Sequence, residues 1–492
     1  MNKDSFLDLI KENSCVSLHE SLILDTETPI SILEKFRSQE NYVFLEGISE
    51  KVKYNRYSYL GFDPYITIIC HDSHFELVYD GGKKEKKSGN FFSFLETLLS
   101  RFLSKKTNNQ ESFYSGIMGN VCYEYLTHHE AIDLPNERSI GLPWAQFIIP
   151  KTVLIMDSVY NKVTIVRNVF KEAISDNEDA YAEAMSHIQS IKQELYQPIK
   201  TPLGPIQNTV DNYDDISCST NIDKETFIHR IKQCQEYIRS GDIFQIQVSR
   251  RAHIPIKEDP INLYRYLRNY NPSPLLFYIK FKDYTLLGAS PEILVTVEDR
   301  KMIIRPLAGT RKRYSKEKTE KEICNELLEN EKEKAEHIML VDLARNDIGT
   351  TCDIGSVRVV ELMSIEKYAH VIHMVSEVEG KLKKEASSID AFKRGFPAGT
   401  VTGTPKIRAM EIISEIENEQ REFYSGGVLF LDFMGNLKSA LAIRSILVKG
   451  GVAYTQAAAG IVSDSDPEDE FKETKNKMRS CLSAMHQHRA TP

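Results

Sequence analysis

Alternation and periodicity divide the chain into two strand-rich stretches separated by a polar seam. Short runs of β-branched and aromatic residues predict strands over Tyr42–Leu45, Tyr65–Cys70, Phe75–Tyr79, Thr152–Met156 and Val163–Val166. Helical spacing of apolar positions predicts helices over Phe91–Leu103 and Asn177–Glu194. The seam, Gln197–Ser219, carries Pro198, Pro202, Gly204, Pro205 and a polar tract ending Tyr213-Asp214-Asp215, with no sustained period. Beyond it, a helix over Lys224–Ser240 closes at Gly241. Strands then recur at Ile243–Arg250, Leu275–Phe281, Thr285–Gly288, Ile293–Val297 and Met302–Arg305.

Near the C-terminus, Gly427–Asp432, Ser439–Lys449 and Val452–Ile461 read as an antiparallel meander, turned by Met434-Gly435-Asn436 and Gly450-Gly451. Alternation puts Ala442, Arg444, Ile446 and Val448 on one face of the middle strand. An arginine among apolar neighbours either snorkels at an edge or clamps an anion, and spacing alone favours the edge. These elements predict an α+β class with largely antiparallel sheet.

A densely charged run, Ser315 to His337, predicts one helix opened by a capping box at Thr319 and Glu322. Ile323, Leu327, Leu328, Ala335, Ile338 and Met339 form its apolar stripe, and most of its charges form a solvated face. Its continuation interleaves His337, Asp342, Arg345, Asn346 and Asp347 with buried-type residues, so those polar groups need partners. Within this helix Glu333 and Glu336 lie three apart and share a face. A second such pair, Glu470 and Glu473, follows Asp466-Pro467, an N-cap with proline at the first helical position. Acidic residues in a first turn also stabilise a helix without any ligand. Four carboxylates from two helices nevertheless suit a hard divalent cation.

Composition changes this picture little. With 41% hydrophobic and 27% charged residues, the 492-residue chain has room for two or three domain-sized units. A formal net charge of −8 gives no nucleic-acid surface, and Lys83–Lys87 reads as an exposed hairpin loop. Eight cysteines without a C-x-x-C pair predict reduced thiols and a cytoplasmic setting. Neither a leader peptide nor an apolar membrane-length run is evident in the sequence. Gly395–Lys406 lacks the Gly-Lys-Ser/Thr ending of a phosphate loop, although the turn before a Lys406–Glu417 helix could bind a carboxylate. No G-x-S-x-G elbow is present. His370 and His373, three apart in a strand-like run, face opposite sides and do not suit one zinc ion.

In order, the blocks Gly241–Arg250, Asn271-Pro-Ser-Pro274, Gly288-Ala-Ser-Pro-Glu292, Arg305–Thr310 and His337–Asp347 resemble the chorismate-utilising enzymes. The blocks His370–Ser376, Phe396–Thr400, Ala459–Val462 and Asp464–Glu473 extend the match, which is closest to the large subunits of anthranilate synthase. It runs over residues 225–485 and more loosely at Arg56–Pro64. The resemblance implies the chorismate-enzyme fold, a two-sheet antiparallel sandwich flanked by helices. It also implies a regulatory and structural domain over 1–200 and a chorismate-binding catalytic domain over 222–488.

For the site, the resemblance implies Mg2+ on Glu336 and Glu473, with Glu333 and Glu470 holding its waters and the ion anchoring the ring carboxylate of chorismate. Arg444, Tyr424, Thr400 and Gly460 would line the substrate, and Glu292 would be the general acid, needing a raised pKa. His373 would orient substrate or assist loss of pyruvate. Relatives that add water carry a lysine where this chain has Gln245, and aminodeoxychorismate synthases carry one where it has Ala308. Direct attack by ammonia, giving anthranilate and pyruvate at the entry to tryptophan biosynthesis, is therefore the implied reaction. Aminodeoxychorismate synthesis and a non-catalytic amino-acid-binding relative are the alternatives; intact Glu292, Glu336, His373, Arg444 and Glu473 argue against the latter. Ammonia would come from a separate glutamine amidotransferase subunit. The tryptophan pocket of relatives would correspond to Glu46, Gly47, Pro274, Leu275 and Leu276. Gly47 lacks a hydroxyl and Leu275 replaces an aromatic ring, which implies weakened feedback. Ala458 stands where many relatives have glycine.

Overall fold

The computed structural model describes every residue except 48–55, 103–112, 175, 201–202, 207–215, 258, 272, 315–317, 368–370 and 488–492, and the side chain of Thr310. Leu103, Pro202, the 211–215 tract, Pro272, Ser315 and His370 thus lie outside the described residues.

Two long strands, Tyr57–Cys70 and Ala145–Asp157, run antiparallel along their whole length, with a register shift between Pro64 and Ile66. Below the shift their outer neighbours are Tyr42–Gly47 and Lys162–Phe170; above it they are Phe75–Tyr79 and Gly116–Val121. Two sheets grow from this shared ribbon. The first passes from Tyr42–Gly47 through Leu275–Phe281, Tyr284–Ser290, Ser445–Lys449 and Val452–Ile461 to Gln245–Pro255. The second passes from Gly116–Val121 through Gly427–Asp432, Leu437–Leu441, Ile293–Glu298 and Lys301–Ile304 to Val371–Lys381. That last strand also carries Leu307–Lys312 and Arg358–Lys367. Among the described residues, every strand pairing in both sheets is antiparallel.

Alternation explains why these strands read as nearly continuous apolar runs. In Tyr42–Gly47, Val43 and Leu45 face the opposite sheet, where Met118, Ile148, Val428 and Phe430 meet them. Tyr42 and Phe44 face outward onto helices Asn177–Tyr196, Pro260–Tyr270 and Pro467–Gln487. The second sheet does the same: Leu429 and Leu431 turn outward to helices Phe91–Phe102, Glu331–Thr351 and Ser388–Gly395. Both faces of each sheet are therefore buried, and the period-two signal carries hydrophobic residues at every position.

Several local expectations are corrected. Ser439–Lys449 is not one strand. It breaks at Ala442–Arg444 into Leu437–Leu441, in the second sheet, and Ser445–Lys449, in the first. Arg444, at φ +48°, makes the turn between sheets, so it occupies a half-buried junction rather than an edge. The charged run holds two helices, Glu320–Glu329 and Glu331–Thr351, because Asn330 caps the second by accepting from the Glu333 amide. Asp342 and Arg345 are exposed and pair with each other, so only His337 and Asp347 of that block needed protein partners. Lys84–Lys87 is a strand against Phe75–Tyr79, since Gly81 and Gly82, both at positive φ, turn the chain just before it. The capping box at Thr319 and the Asp466 cap stand as read from the sequence. Among the described residues, no helix is long and apolar enough to cross a membrane.

Candidate active site

Ser290 ends a strand of the first sheet, and Ile293 opens a strand of the second, so Glu292 sits in a second crossing between sheets, beside the one at Arg444. The Ser290 hydroxyl clamps this turn, accepting from the Glu292 amide at 3.3 Å and donating to its carbonyl at 3.1 Å. Thr400, in the short turn Gly399–Val401, donates its hydroxyl to Glu292 Oε1 at 2.7 Å. Burial raises the Glu292 pKa to about 7, and the Thr400 bond only partly opposes it. The carboxyl thus holds a proton near neutrality. Glu292 and Thr400 line a cavity of about 40 Å³ walled by Leu340, Leu343 and Asp347 of the Glu331–Thr351 helix.

Arg421 braces this turn from behind. Fully buried, it donates to Glu417 through Nε and Nη2, to the Val401 carbonyl at 2.7 Å and to the Gln247 carbonyl at 2.8 Å. Tyr424, three residues on, is buried; that burial lifts its phenol to about 12, with the Ala458 backbone among its partners. Gly460 pairs with Gln247, and a Cβ there would lie 2.9 Å from Gln247 Nε2 and 3.0 Å from Gln245 Nε2. Only glycine leaves both amides in place.

Arg444 donates to Asn271 Oδ1 at 3.2 Å, and burial lowers its pKa from the usual value. Its charge also bears on His373, whose pKa falls to about 4 through burial first and Arg444 second. His373 is therefore neutral, and its Nδ1–H points at the Gly309 carbonyl, 3.4 Å away. Asn271 caps the helix Pro260–Tyr270, which fixes the arginine's partner at a helix end.

The two glutamate pairs lie near the N-terminal ends of their helices, Glu331–Thr351 and Pro467–Gln487. Burial and then the neighbouring charge of Glu333 raise the Glu336 pKa, while a hydrogen bond from Gln245 opposes the rise. Glu470 is raised likewise by burial, opposed by its bond from Ser465 at 2.8 Å, and raised again by Glu473. Lys332 and Lys477 bear on both Glu336 and Glu470, and Lys332 reaches Asp464 at 3.5 Å, tying one helix start to the other. Arg311, distant in sequence, pairs with Glu333 at 2.8 Å, and Lys477 pairs with Glu473, four residues before it, at 2.7 Å. The oxygens of these four glutamates do not bring three together within 4.8 Å. Buried Glu470 Oε2 has no hydrogen-bond partner. A hard-oxygen donor set with mutually repelling carboxylates and an unpaired buried oxygen fits a divalent cation.

Ala308 is buried and pairs with Met374, beside Gly309 at φ +68° and close to Glu333. In the first sheet Gly47 lies opposite Leu275, which lies opposite Ser290; Glu46, Leu276 and Ala289 form the next row. Pro274 precedes these rows and is buried. Buried Glu46 is already engaged, by Arg268 through Nε and Nη2 and by Tyr264 at 2.9 Å. His337 bonds Ser376 at 2.7 Å.

A family model for chorismate binding enzymes matches residues 48–483. The chain belongs to the chorismate binding enzyme family. Among curated members, it is 37% identical to anthranilate synthase component 1 of Acetivibrio thermocellus, over 97% of each chain. It is 36% identical to that of Aquifex aeolicus, over 97% of this chain and 96% of the relative. The crystal structure of anthranilate synthase component I from Streptococcus pneumoniae TIGR4 superposes with a TM-score of 0.76 at 31% identity, covering 94% of this chain and 99% of that one. The menaquinone-specific isochorismate synthase MenF of Escherichia coli shares the fold, with a TM-score of 0.69 at 18% identity, over 98% of both chains.

Proposed function

We propose that this chorismate binding enzyme is the aminating component of an anthranilate synthase, converting chorismate and ammonia to anthranilate and pyruvate. The observation that carries the reading is Glu292, a half-buried carboxyl that keeps its proton near pH 7 while accepting a hydrogen bond from Thr400. Ammonia attacks the ring as the ring hydroxyl leaves; Glu292 gives that hydroxyl its proton, and water departs. The enolpyruvyl group then leaves as pyruvate while the ring loses a proton and becomes aromatic. Neutral His373, with Nδ1–H directed to Gly309, keeps Nε2 as an acceptor suited to orienting substrate and assisting that loss. Arg444, held by Asn271, presents a guanidinium to the enolpyruvyl carboxylate. Tyr424, Thr400, Gly460, Gln245 and Ala308 shape the rest of the pocket.

Glu336 and Glu473 would hold Mg2+, with Glu333 and Glu470 behind them. When bound, the ion supplies positive charge for the ring carboxylate. Gln245 is a hydrogen-bond donor to Glu336 and cannot take a proton from water, and Ala308 offers no nucleophile; both favour ammonia as the attacking group. Residues 1–200 would serve regulation and structure, and 222–488 would bind chorismate. Ammonia would reach the site from a separate glutamine amidotransferase subunit, with tryptophan a weak inhibitor acting near Glu46, Gly47, Pro274, Leu275 and Leu276. The purified chain, given chorismate, magnesium and an ammonium salt, should generate anthranilate fluorescence. No product, or a non-aromatic aminochorismate, would overturn the reading.

A further inference from the structure

The hairpin that joins Tyr57–Cys70 to Phe75–Tyr79 carries His71, Asp72, Ser73 and His74 at its tip, far in sequence from any residue of the active site. The His71 amide bonds the His74 carbonyl at 2.8 Å, so the two histidines face each other across a two-residue loop. Residues directly opposite on a hairpin share a face, and so do residues two apart on one strand. His71, His74 and Glu76 are therefore forced onto one face by the backbone alone. Their rings and carboxylate comply. The imidazoles stack with centroids 4.7 Å apart and planes 24° apart, and His74 Nε2 lies 3.5 Å from Glu76 Oε1. One ligand atom from each of the three lies within 4.8 Å of the other two.

We infer that His71, His74 and Glu76 form a second metal site, for a borderline transition ion of the zinc class, independent of the glutamate pairs. Two nitrogens and one carboxylate oxygen are the donors such an ion takes, with a fourth position left to solvent. Bonds of about 2.1 Å at tetrahedral angles separate neighbouring donors by about 3.4 Å, close to the Nε2–Oε1 spacing already present. Ser73 Oγ stands 3.3 Å from His74 Nδ1, where it can accept the Nδ1–H and leave the Nε2 lone pair directed at Glu76. All three ligands are only half-buried, which leaves the ion a path from solvent. A hard ion such as magnesium has no preference for this nitrogen pair, so the two sites separate by chemistry.

The test titrates the full-length chain with Zn2+ in excess magnesium, by calorimetry and by the visible absorption of a Co2+ substitute. One equivalent is expected to bind, with a rise in Tm. His74→Ala and the double variant His71→Ala/His74→Ala should lose that equivalent and the Tm response. Ser73→Ala should weaken binding roughly tenfold or more through the lost orienting contact. Glu336→Gln should leave it intact. Absence of binding by the parent chain, or equal stoichiometry in the double variant, would overturn the site. Retained turnover in the histidine variants verifies that they fold.

Discussion

Thr400 donates its hydroxyl to Glu292 Oε1 at 2.7 Å, so the group that stabilises the ionised acid sits on the same loop that walls the pocket. Two opposing effects meet on one carboxyl: burial holds the proton, and Thr400 eases its release. Thr400→Val should therefore raise the Glu292 pKa above about 7, by roughly one unit for a hydrogen bond to a charged group. Measured as kcat at saturating free ammonia, the alkaline limb should move to higher pH. A move to lower pH would contradict the assignment.

Glu292→Gln should cut kcat by roughly 10²–10⁴-fold, the range for losing a general acid. The same change should stabilise the fold. Because the folded pKa is raised, the folded state holds a proton that the unfolded chain releases. Stability is thus complete below the usual carboxyl value near 4.5 and declines as pH rises towards about 7. Above that pH the variant should gain up to about 3 kcal/mol, and at pH 4 the gain should vanish. Equal Tm differences at the two pH values would count against a buried acid.

Magnesium dependence should be strict. Chelation should abolish turnover and magnesium should restore it, while Glu336→Gln or Glu473→Gln should remove activity at any magnesium concentration. Gln245→Leu is the subtler case. It deletes the hydrogen bond that favours ionised Glu336, so the magnesium concentration for half-maximal activity should rise about tenfold or more. An unchanged magnesium profile would separate Gln245 from the cation.

Arg421→Met leaves Glu417 buried without its partner and should cost about 3–5 kcal/mol. Denaturation would read the loss directly. Since Arg421 also holds the Val401 and Gln247 carbonyls, activity in the surviving folded fraction should fall as well.

Tryptophan should inhibit only weakly. Glu46 is committed to Arg268 and Tyr264, and the position beside it is Gly47. A submicromolar inhibition constant on the enzyme would refute this.

Most strands were legible in the sequence because burial on both faces left long apolar runs, though Cys15–Ile23, Gly116–Val121, Leu307–Lys312 and Arg358–Lys367 were not, and the caps at Thr319 and Asp466 were legible because capping is local. The break at Arg444 was not. A strand that changes sheet keeps its apolar alternation on both sides of the turn, and only the positive φ, invisible in sequence, marks the crossing. The same holds for the site. The resemblance singled out Glu292, His373 and Arg444, but Arg311 on Glu333 and Asn271 on Arg444 depend on tertiary contacts. Helix spacing could have suggested only the Glu473–Lys477 pair, four residues apart.

The row Gly47–Leu275–Ser290 gives the sheet a mechanical meaning. Adjacent strands stand about 4.8 Å apart, so Gly47 lies only two strands, about 10 Å, from the residue whose hydroxyl fixes the Glu292 turn. A substitution that widens or tilts the strand at Gly47 therefore acts two strands away from the turn that carries Glu292.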